Sequence, residues 1–175
     1  VSLIFSDVVG NDLGYIASGP TVLDTTTVNE AEKIIDKYFV VERCSFSKDY
    51  LIETPKDEKY FEKVANILLV SNTLALSAME REAERLGFHA ILCDACLSGD
   101  AVLVGSKIIE DLHKQKPKTA LLYGGETTVR IRGNGRGGRN QEMALAALNG
   151  NKRRECVLTL ASDGRDNTEA AGSIC

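Results

Sequence analysis

The residues able to do chemistry gather in two stretches. One runs Gly124-Gly125-Glu126-Thr127-Thr128 and resumes as Gly133-Asn134-Gly135-Arg136-Gly137-Gly138-Arg139-Asn140-Gln141-Glu142. The other is Ser162-Asp163-Gly164-Arg165-Asp166-Asn167-Thr168. Four of the chain's fifteen glycines fall between Gly133 and Asn140. A glycine loop removes side chains where backbone must come close to something, and it frees N–H groups to point at an anion. Arg130, Arg132, Arg136 and Arg139 cluster there in an otherwise acidic chain. Arginine is the fork-shaped donor that fits carboxylate and phosphate oxygens. Asp163 and Asp166 lie three apart in a turn. Such a pair can hold Mg²⁺, or Asp163-Gly164 is simply a turn and Asp166 or Thr168 a helix cap. Asp7 and Glu126 carry the same two readings, metal or substrate hydroxyls against loop N–H groups. His89 and His113 read as structural or solvated.

These groups need elements to hold them. Alternation through Thr127, Val129 and Ile131 predicts a strand running into the glycine loop. Met143 to Leu148 predicts a short helix after it, with Asn140 as N-cap and Glu142 in its first turn. Strand, glycine loop and helix N-terminus together suit phosphate or carboxylate. Upstream, Val1 to Phe5 predicts a strand ending at Ser6-Asp7. A long polar loop follows from Val8 to Thr27, and Thr27-Val28-Asn29-Glu30 is a capping box. Cys44 to Lys59 reads as irregular, with a short helix near Lys48 to Ile52. Asn66 to Val70 predicts a strand closed by Ser71-Asn72, then a helix ending before Gly87. Phe88 to Cys93 predicts the next strand. Ser98-Gly99-Asp100 opens a helix with Ala101, Val104, Ile108 and Leu112 inward. Ala120 to Tyr123 and Cys156 to Ala161 complete the strands, and a helix start is expected after Glu169.

Alternating strands and helices imply an α/β fold, layered and Rossmann-like, with a largely parallel sheet flanked by helices. In such sheets ligands bind at the carboxyl ends of strands. Ser6-Asp7, Ser71-Asn72, Gly125-Glu126 and Ser162-Asp163 all fall at such ends. The chain has 175 residues and a formal net charge of -4, which argues against general nucleic-acid binding. It has no apolar run of the ~20 residues that a membrane span needs. Its five cysteines are odd in number and widely spaced, so a reducing, cytoplasmic setting is expected. Cys93-Asp94-Ala95-Cys96 lacks the second pair of a zinc site, and buried inert thiols are expected. The chain starts at Val1 rather than Met, so a fragment of a longer protein is expected.

Gly124-Gly125-Glu126-Thr127-Thr128, with Gly135-Arg136-Gly137-Gly138-Arg139-Asn140-Gln141-Glu142, resembles the signature of the glycerate 2-kinase family, whose C-terminal part is the MOFRL domain. Ser6-Asp7-Val8, Ile16-Ala17-Ser18-Gly19-Pro20-Thr21, Ser71-Asn72, and Ser162-Asp163-Gly164 with Ala170-Ala171-Gly172 follow in that family's order. The resemblance implies an ATP- and Mg²⁺-dependent kinase that phosphorylates the 2-hydroxyl of D-glycerate in a cleft between two α/β domains. It implies residues 1–117 as the C-terminal portion of the first domain and 118–175 as the N-terminal portion of the MOFRL domain. It implies catalytic roles for Arg139, Asp163 and Glu126, and substrate or phosphate contacts from Ser6, Asp7, Ser18, Gly19, Gly125, Gly135, Arg136, Gly137, Gly138, Asn140 and Glu142. Ser71 and Asn72 would face the nucleotide, and Asp163 with Asp166 the metal. The partners implied are glycerate and a nucleotide, with no nucleic acid or membrane. Family members usually read Asp-Gly-Pro-Thr where this chain has Asp166-Asn167-Thr168, one residue shorter. The fragment alone is expected to be inactive, with phosphate or sulfate still able to sit at the N–H groups before Gln141.

Two other readings stand beside this one. Gly133, Gly135 and Gly138 spell G-x-G-x-x-G, as in an NAD(P)-dependent hydroxypyruvate reductase-type oxidoreductase. The acidic partner, Asp163, then lies about 25 residues past the last glycine, where ~20 is usual. The third reading is a non-catalytic anion-binding module.

Overall fold

The computed structural model describes residues 1–38, 44, 46–152 and 154–175. The chain divides into two compact units, Val1–Ser71 and Asn72–Cys175.

In the first unit, strand β1 (Ser2–Phe5) pairs in parallel with β2 (Asn66–Val70). Helix α1 (Val28–Lys37) lies between them in sequence, and its capping box forms as expected. The Thr27 side chain accepts from Glu30 N, and Thr27 N donates to Glu30 Oε2 at 2.8 Å. The long loop before it is held by single 3-10 turns at Val9–Asn11 and Ile16–Ser18. A further such turn covers Lys48–Tyr50, within the short helix expected there. Ser45, in the stretch read as irregular, lies outside the described residues.

The second unit is built on one long parallel pair, β3 (His89–Asp100) with β4 (Thr119–Thr128). Helix α2 (Asn72–Arg85) precedes it, α3 (Ala101–His113) joins its two strands, and α4 (Arg139–Leu148) follows. Leu76 of α2 packs with Ala90 and Leu122 of the strands. Ala101 and Val104 of α3 pack with Met143 of α4, and Ile109 with Ala147 and Val157. The inward face expected of α3 is therefore present. A hairpin closes the unit, β5 (Leu158–Leu160) antiparallel to β6 (Gly172–Ile174). The fold is α/β with parallel strand pairs flanked by helices, and β5–β6 is its antiparallel exception.

Four expectations are corrected here. β3 does not stop at Cys93 but continues with irregular register to Asp100, which pairs with Thr128. The strand expected through Val129 and Ile131 ends instead at Thr128. Its partner runs out there, because Asp100 turns away to cap α3, and an unpaired strand extension has no ladder to join. After Glu169 the chain enters β6, not a helix. The hairpin loop closes on itself through Asp166 N to Ala170 O at 2.9 Å and Ala161 N to Ala171 O at 2.7 Å. The thiols are not buried: Cys44, Cys93, Cys96 and Cys156 are exposed and Cys175 is half-buried, all unpaired.

Candidate functional site

The site in the second unit is assembled around the start of α4. Gly138 is the N-cap and Arg139 the first helical residue, which corrects the expectation of Asn140 as N-cap. Gly138 brings no side chain to accept from the helix's free N–H groups. Asp166 does so from 26 positions away in sequence. Its Oδ1 accepts from Asn140 N at 3.1 Å and from Asn140 Nδ2 at 3.3 Å, and its Oδ2 accepts from Gln141 N at 2.8 Å. A carboxylate at a helix N-terminus also complements the helix dipole. Asp166 is only 4% exposed, so this charge is held almost wholly by those donors.

The rest of the hairpin loop is fastened to the same turn. Gln141 Nε2 donates to Asp166 O at 3.2 Å and to Thr168 Oγ1 at 2.9 Å. Asn167 Nδ2 donates to Gly137 O at 3.3 Å, and Thr159 Oγ1 donates to Asn140 O at 2.9 Å. Gly138 is where glycine is required. A Cβ there would stand 2.3 Å from Asp166 Oδ1 and 2.6 Å from Asp166 O.

Arg139 projects from this capped turn and forms an ion pair with Glu126 on β4. Both side chains remain about half exposed, 45% and 52%, so the guanidinium stays accessible to a further anion. One residue before Glu126, Gly125 holds φ at +150°, where a Cβ would stand 2.2 Å from Leu97 O. Further back on β4, Tyr123 is held above its ordinary pKa of 10.0, first by burial and then by its hydrogen bond with Cys93. Gly135 and Arg136 are exposed, and Gly137 is half-buried. Glu142 lies in the first turn of α4, its N–H donating to Gly138 O at 3.0 Å.

The two aspartates thus differ. Asp163 is exposed on the turn after β5, and its Oδ1 accepts from Arg165 N at 3.0 Å. Asp166 is engaged on α4. The N–H groups before and at Gln141, expected to take phosphate, already hold the Asp166 carboxylate.

The comparisons with known proteins fall on the same residues. Residues 119–175 match the MOFRL family model, and residues 1–53 match a domain of unknown function (DUF4147). A glycerate 2-kinase of Pyrococcus horikoshii is 38% identical over 99% of this chain and 43% of its own length. A D-glycerate 2-kinase of Thermotoga maritima is 36% identical over 99% of this chain and 43% of its own. The chain is thus similar to glycerate 2-kinases over almost its whole length. The crystal structure of the Thermotoga maritima glycerate kinase superposes with a TM-score of 0.84 at 34% identity, covering 98% of this chain and 43% of that one. The chain therefore spans less than half the length of these relatives.

The remaining residues expected from the glycerate 2-kinase resemblance fall as follows. In the first unit, Ser6 follows β1, its N–H donating to Val70 O at 2.9 Å and its Oγ accepting from Val8 N at 3.2 Å. Asp7 next to it is exposed. Ala17, Ser18 and Gly19 take φ of 50°, 63° and 61° in succession. A left-handed residue other than glycine costs roughly 1–2 kcal/mol, and such strain gathers at functional sites. Ser71 closes the first unit and is buried. In the second unit, Asn72 begins α2, and its Nδ2 donates to Ala95 O at 2.6 Å. His113 is structural, its Nε2 lying 3.1 Å from Glu155 Oε2.

Sequence reasoning missed Thr159 as part of the site, and it left the side chains of Gln141 and Asn167 without a role inside their stretches. Only Thr159 carried a signal, a polar residue between two leucines on a strand that buries it. Its partner Asn140 is 19 residues away.

Proposed function

We propose that this chain is part of an ATP-dependent glycerate 2-kinase, transferring the γ-phosphoryl group to the 2-hydroxyl oxygen of D-glycerate and releasing ADP. The observation that carries the reading is Arg139 at the head of a firmly capped helix, half exposed and paired with Glu126. Phosphoryl transfer asks a protein mainly to position groups and to neutralise charge. The Arg139 fork meets the transferred phosphoryl group or the glycerate carboxylate, and Glu126 pairs with that fork. Asp163 orients the glycerate hydroxyls or contributes to a Mg²⁺ site.

The donor chemistry fits the ion. Asp163 is an exposed hard-oxygen donor. Mg²⁺ is commonly bound by one or two carboxylates plus water and substrate phosphates rather than by a full protein cage. Among the described residues no three His, Cys, Asp or Glu side chains gather into such a cage. When bound, Mg²⁺ neutralises charge on the nucleotide phosphates. Asp166, buried on α4, is assigned a structural part instead.

Ser6, Asp7, Ser18 and Gly19 remain the proposed substrate contacts of the first unit. Ser71 and Asn72 remain the proposed nucleotide contacts, and residues 1–117 and 118–175 the proposed domain portions. The family match beginning at residue 119 supports that boundary, whereas β4 itself pairs with β3 inside the compact unit Asn72–Cys175. Four exposed unpaired thiols suit the cytoplasm, and no helix among the described residues is long and apolar enough to cross a membrane.

The oxidoreductase reading fares less well. A dinucleotide's pyrophosphate sits on the helix N-terminus after the glycine loop. Here Asp166 holds the Asn140 and Gln141 N–H groups of that turn. In the full-length protein, ATP–Mg²⁺ with D-glycerate should yield 2-phosphoglycerate, and NADH should not be consumed with hydroxypyruvate. Arg139→Lys keeps the charge and loses the planar fork, so turnover should fall by about 10²-fold. Wild-type kcat and KM in that variant would refute the assignment.

A further inference from the structure

We infer that Asp166 is a positioning residue for phosphoryl transfer, acting through Arg139 and not as a metal ligand. The inference rests on the kinase reading above.

The geometry that carries it is the division of labour within one helical turn. The first residue, Arg139, turns its side chain outward to Glu126. The second and third residues, Asn140 and Gln141, give their backbone N–H groups inward to the two oxygens of one buried carboxylate. The direction in which the Arg139 side chain leaves the helix is set by where that turn begins. Nothing within the turn itself fixes the start, because the N-cap is a glycine with no capping side chain. Asp166 fixes it from outside, braced by Gln141 Nε2 on its own carbonyl oxygen and by Asn167 on Gly137 O. Both oxygens are committed to helix donors, so this acid is spent on the protein. Three donors take three of the roughly four lone-pair sites of this carboxylate, and with 4% exposure the remaining site is buried, which leaves a metal little access to it.

Arg139 and Glu126 are each about half exposed, and exposed ion pairs hold side chains weakly. The rigid reference for the guanidinium is therefore the capped turn behind it. A displacement of about 1 Å at a positioning group can cost roughly 10²-fold in rate, so a cap remote from the phosphate can govern turnover.

The test uses the full-length protein. Asp166→Asn keeps Oδ1 as an acceptor for Asn140 and replaces Oδ2 by an N–H₂ that cannot accept from Gln141 N. With D-glycerate and ATP, kcat should fall by about 10- to 100-fold, while the Mg²⁺ concentration for half-maximal rate stays within about twofold. Adding Arg139→Lys should lower kcat by much less than the product of the single losses, since both changes damage the same contact. Full kcat in Asp166→Asn would overturn the inference. So would a tenfold rise in the Mg²⁺ requirement, which would make Asp166 a ligand after all, or fully multiplicative losses in the double variant. If Asp166→Asn does not fold, Gln141→Ala decides. It removes the brace to Asp166 O and Thr168 Oγ1 without touching the buried acid. A severalfold drop in kcat supports the positioning role, and wild-type kcat refutes it. A wild-type enzyme that phosphorylates no glycerate would instead end the kinase reading, and the two failures are told apart by that control.

Discussion

Helices α3 and α4 lie side by side in one unit, and both have an aspartate on their N-terminal N–H groups. The two caps are made in different ways. In α3, the residue just before the helix does the work: Asp100 Oδ1 accepts from Val102 N at 3.0 Å and Leu103 N at 3.4 Å. In α4, the residue just before the helix is Gly138, and the cap comes from Asp166 on a hairpin loop. Asp100 ends β3 and is half-buried, while Asp166 is almost completely buried. A local cap makes a helix start wherever the sequence puts it. A remote cap makes the start depend on a loop, and so couples the helix to that loop. The helix with the remote cap is the one that begins with the proposed catalytic arginine.

The largest effect should come from the residue that lets the remote cap approach. A Cβ on Gly138 would stand 2.3 Å from Asp166 Oδ1 and 2.6 Å from its backbone oxygen. Gly138→Ala should therefore cost about 1–3 kcal/mol, as overpacking in a close-packed region does, and kcat should fall with it. The adjacent Gly137 provides the contrast, since a Cβ there meets only the flexible Gln141 Oε1 at 3.5 Å. Gly137→Ala should stay within about 0.5 kcal/mol of the wild type. Equal stability losses at the two positions in urea denaturation would mean that the glycine-rich sequence, and not the approach of Asp166, sets the cost.

The difference between the caps also explains what could be read from the sequence. The Thr27–Glu30 capping box, the Asp100 start of α3 and the β2 strand at Asn66–Val70 depend on neighbours within a few residues, and all three stand where expected. The glycine–arginine stretch reads as an anion site, and the structure does bring Arg139 of that stretch together with Glu126. Its internal geometry was not legible. Asn140 looked like an N-cap because its type suits that position, and nothing local showed that an acid 26 residues on would hold its N–H. Asp163 reads as the leading acid and Asp166 as the secondary one, but nothing local showed that Asp166 would be buried against α4, because that follows only once β5 and β6 pair. Val129 and Ile131 alternated like a strand, but the strand ends where β3 turns into α3. Local chemistry was readable in each of these cases, and the failures came where a tertiary partner decided.

A middle-sized effect is expected on the other side of the comparison. Asp100→Ala removes a local cap and should cost about 1 kcal/mol. Its effect should end there. α3 carries no proposed catalytic residue, so kcat of the full-length enzyme should match the wild type at a temperature well below the melting transition. A kcat loss as large as that of Asp166→Asn would show that any weakened helix in this unit slows the enzyme, and the special standing of the remote cap would be lost.

The smallest effect should come from the front of the arginine. Glu126→Gln breaks the ion pair with Arg139 while leaving the Asp166 cap in place. Because both partners are about half exposed, the pair contributes only about 0–1 kcal/mol, and that contribution shrinks as salt screens it. The stability difference from wild type should therefore be below about 1 kcal/mol at low salt and smaller at high salt. The reason is directional: the helix start is held through the backbone N–H groups of Asn140 and Gln141, which Glu126 does not touch. If Glu126→Gln instead lost 2 kcal/mol or more, a value typical of a buried, hydrogen-bonded charge, the ion pair would be anchoring the turn. Arg139 would then be positioned from the strand side, by β4, and Asp166 would be left as a cap and nothing more.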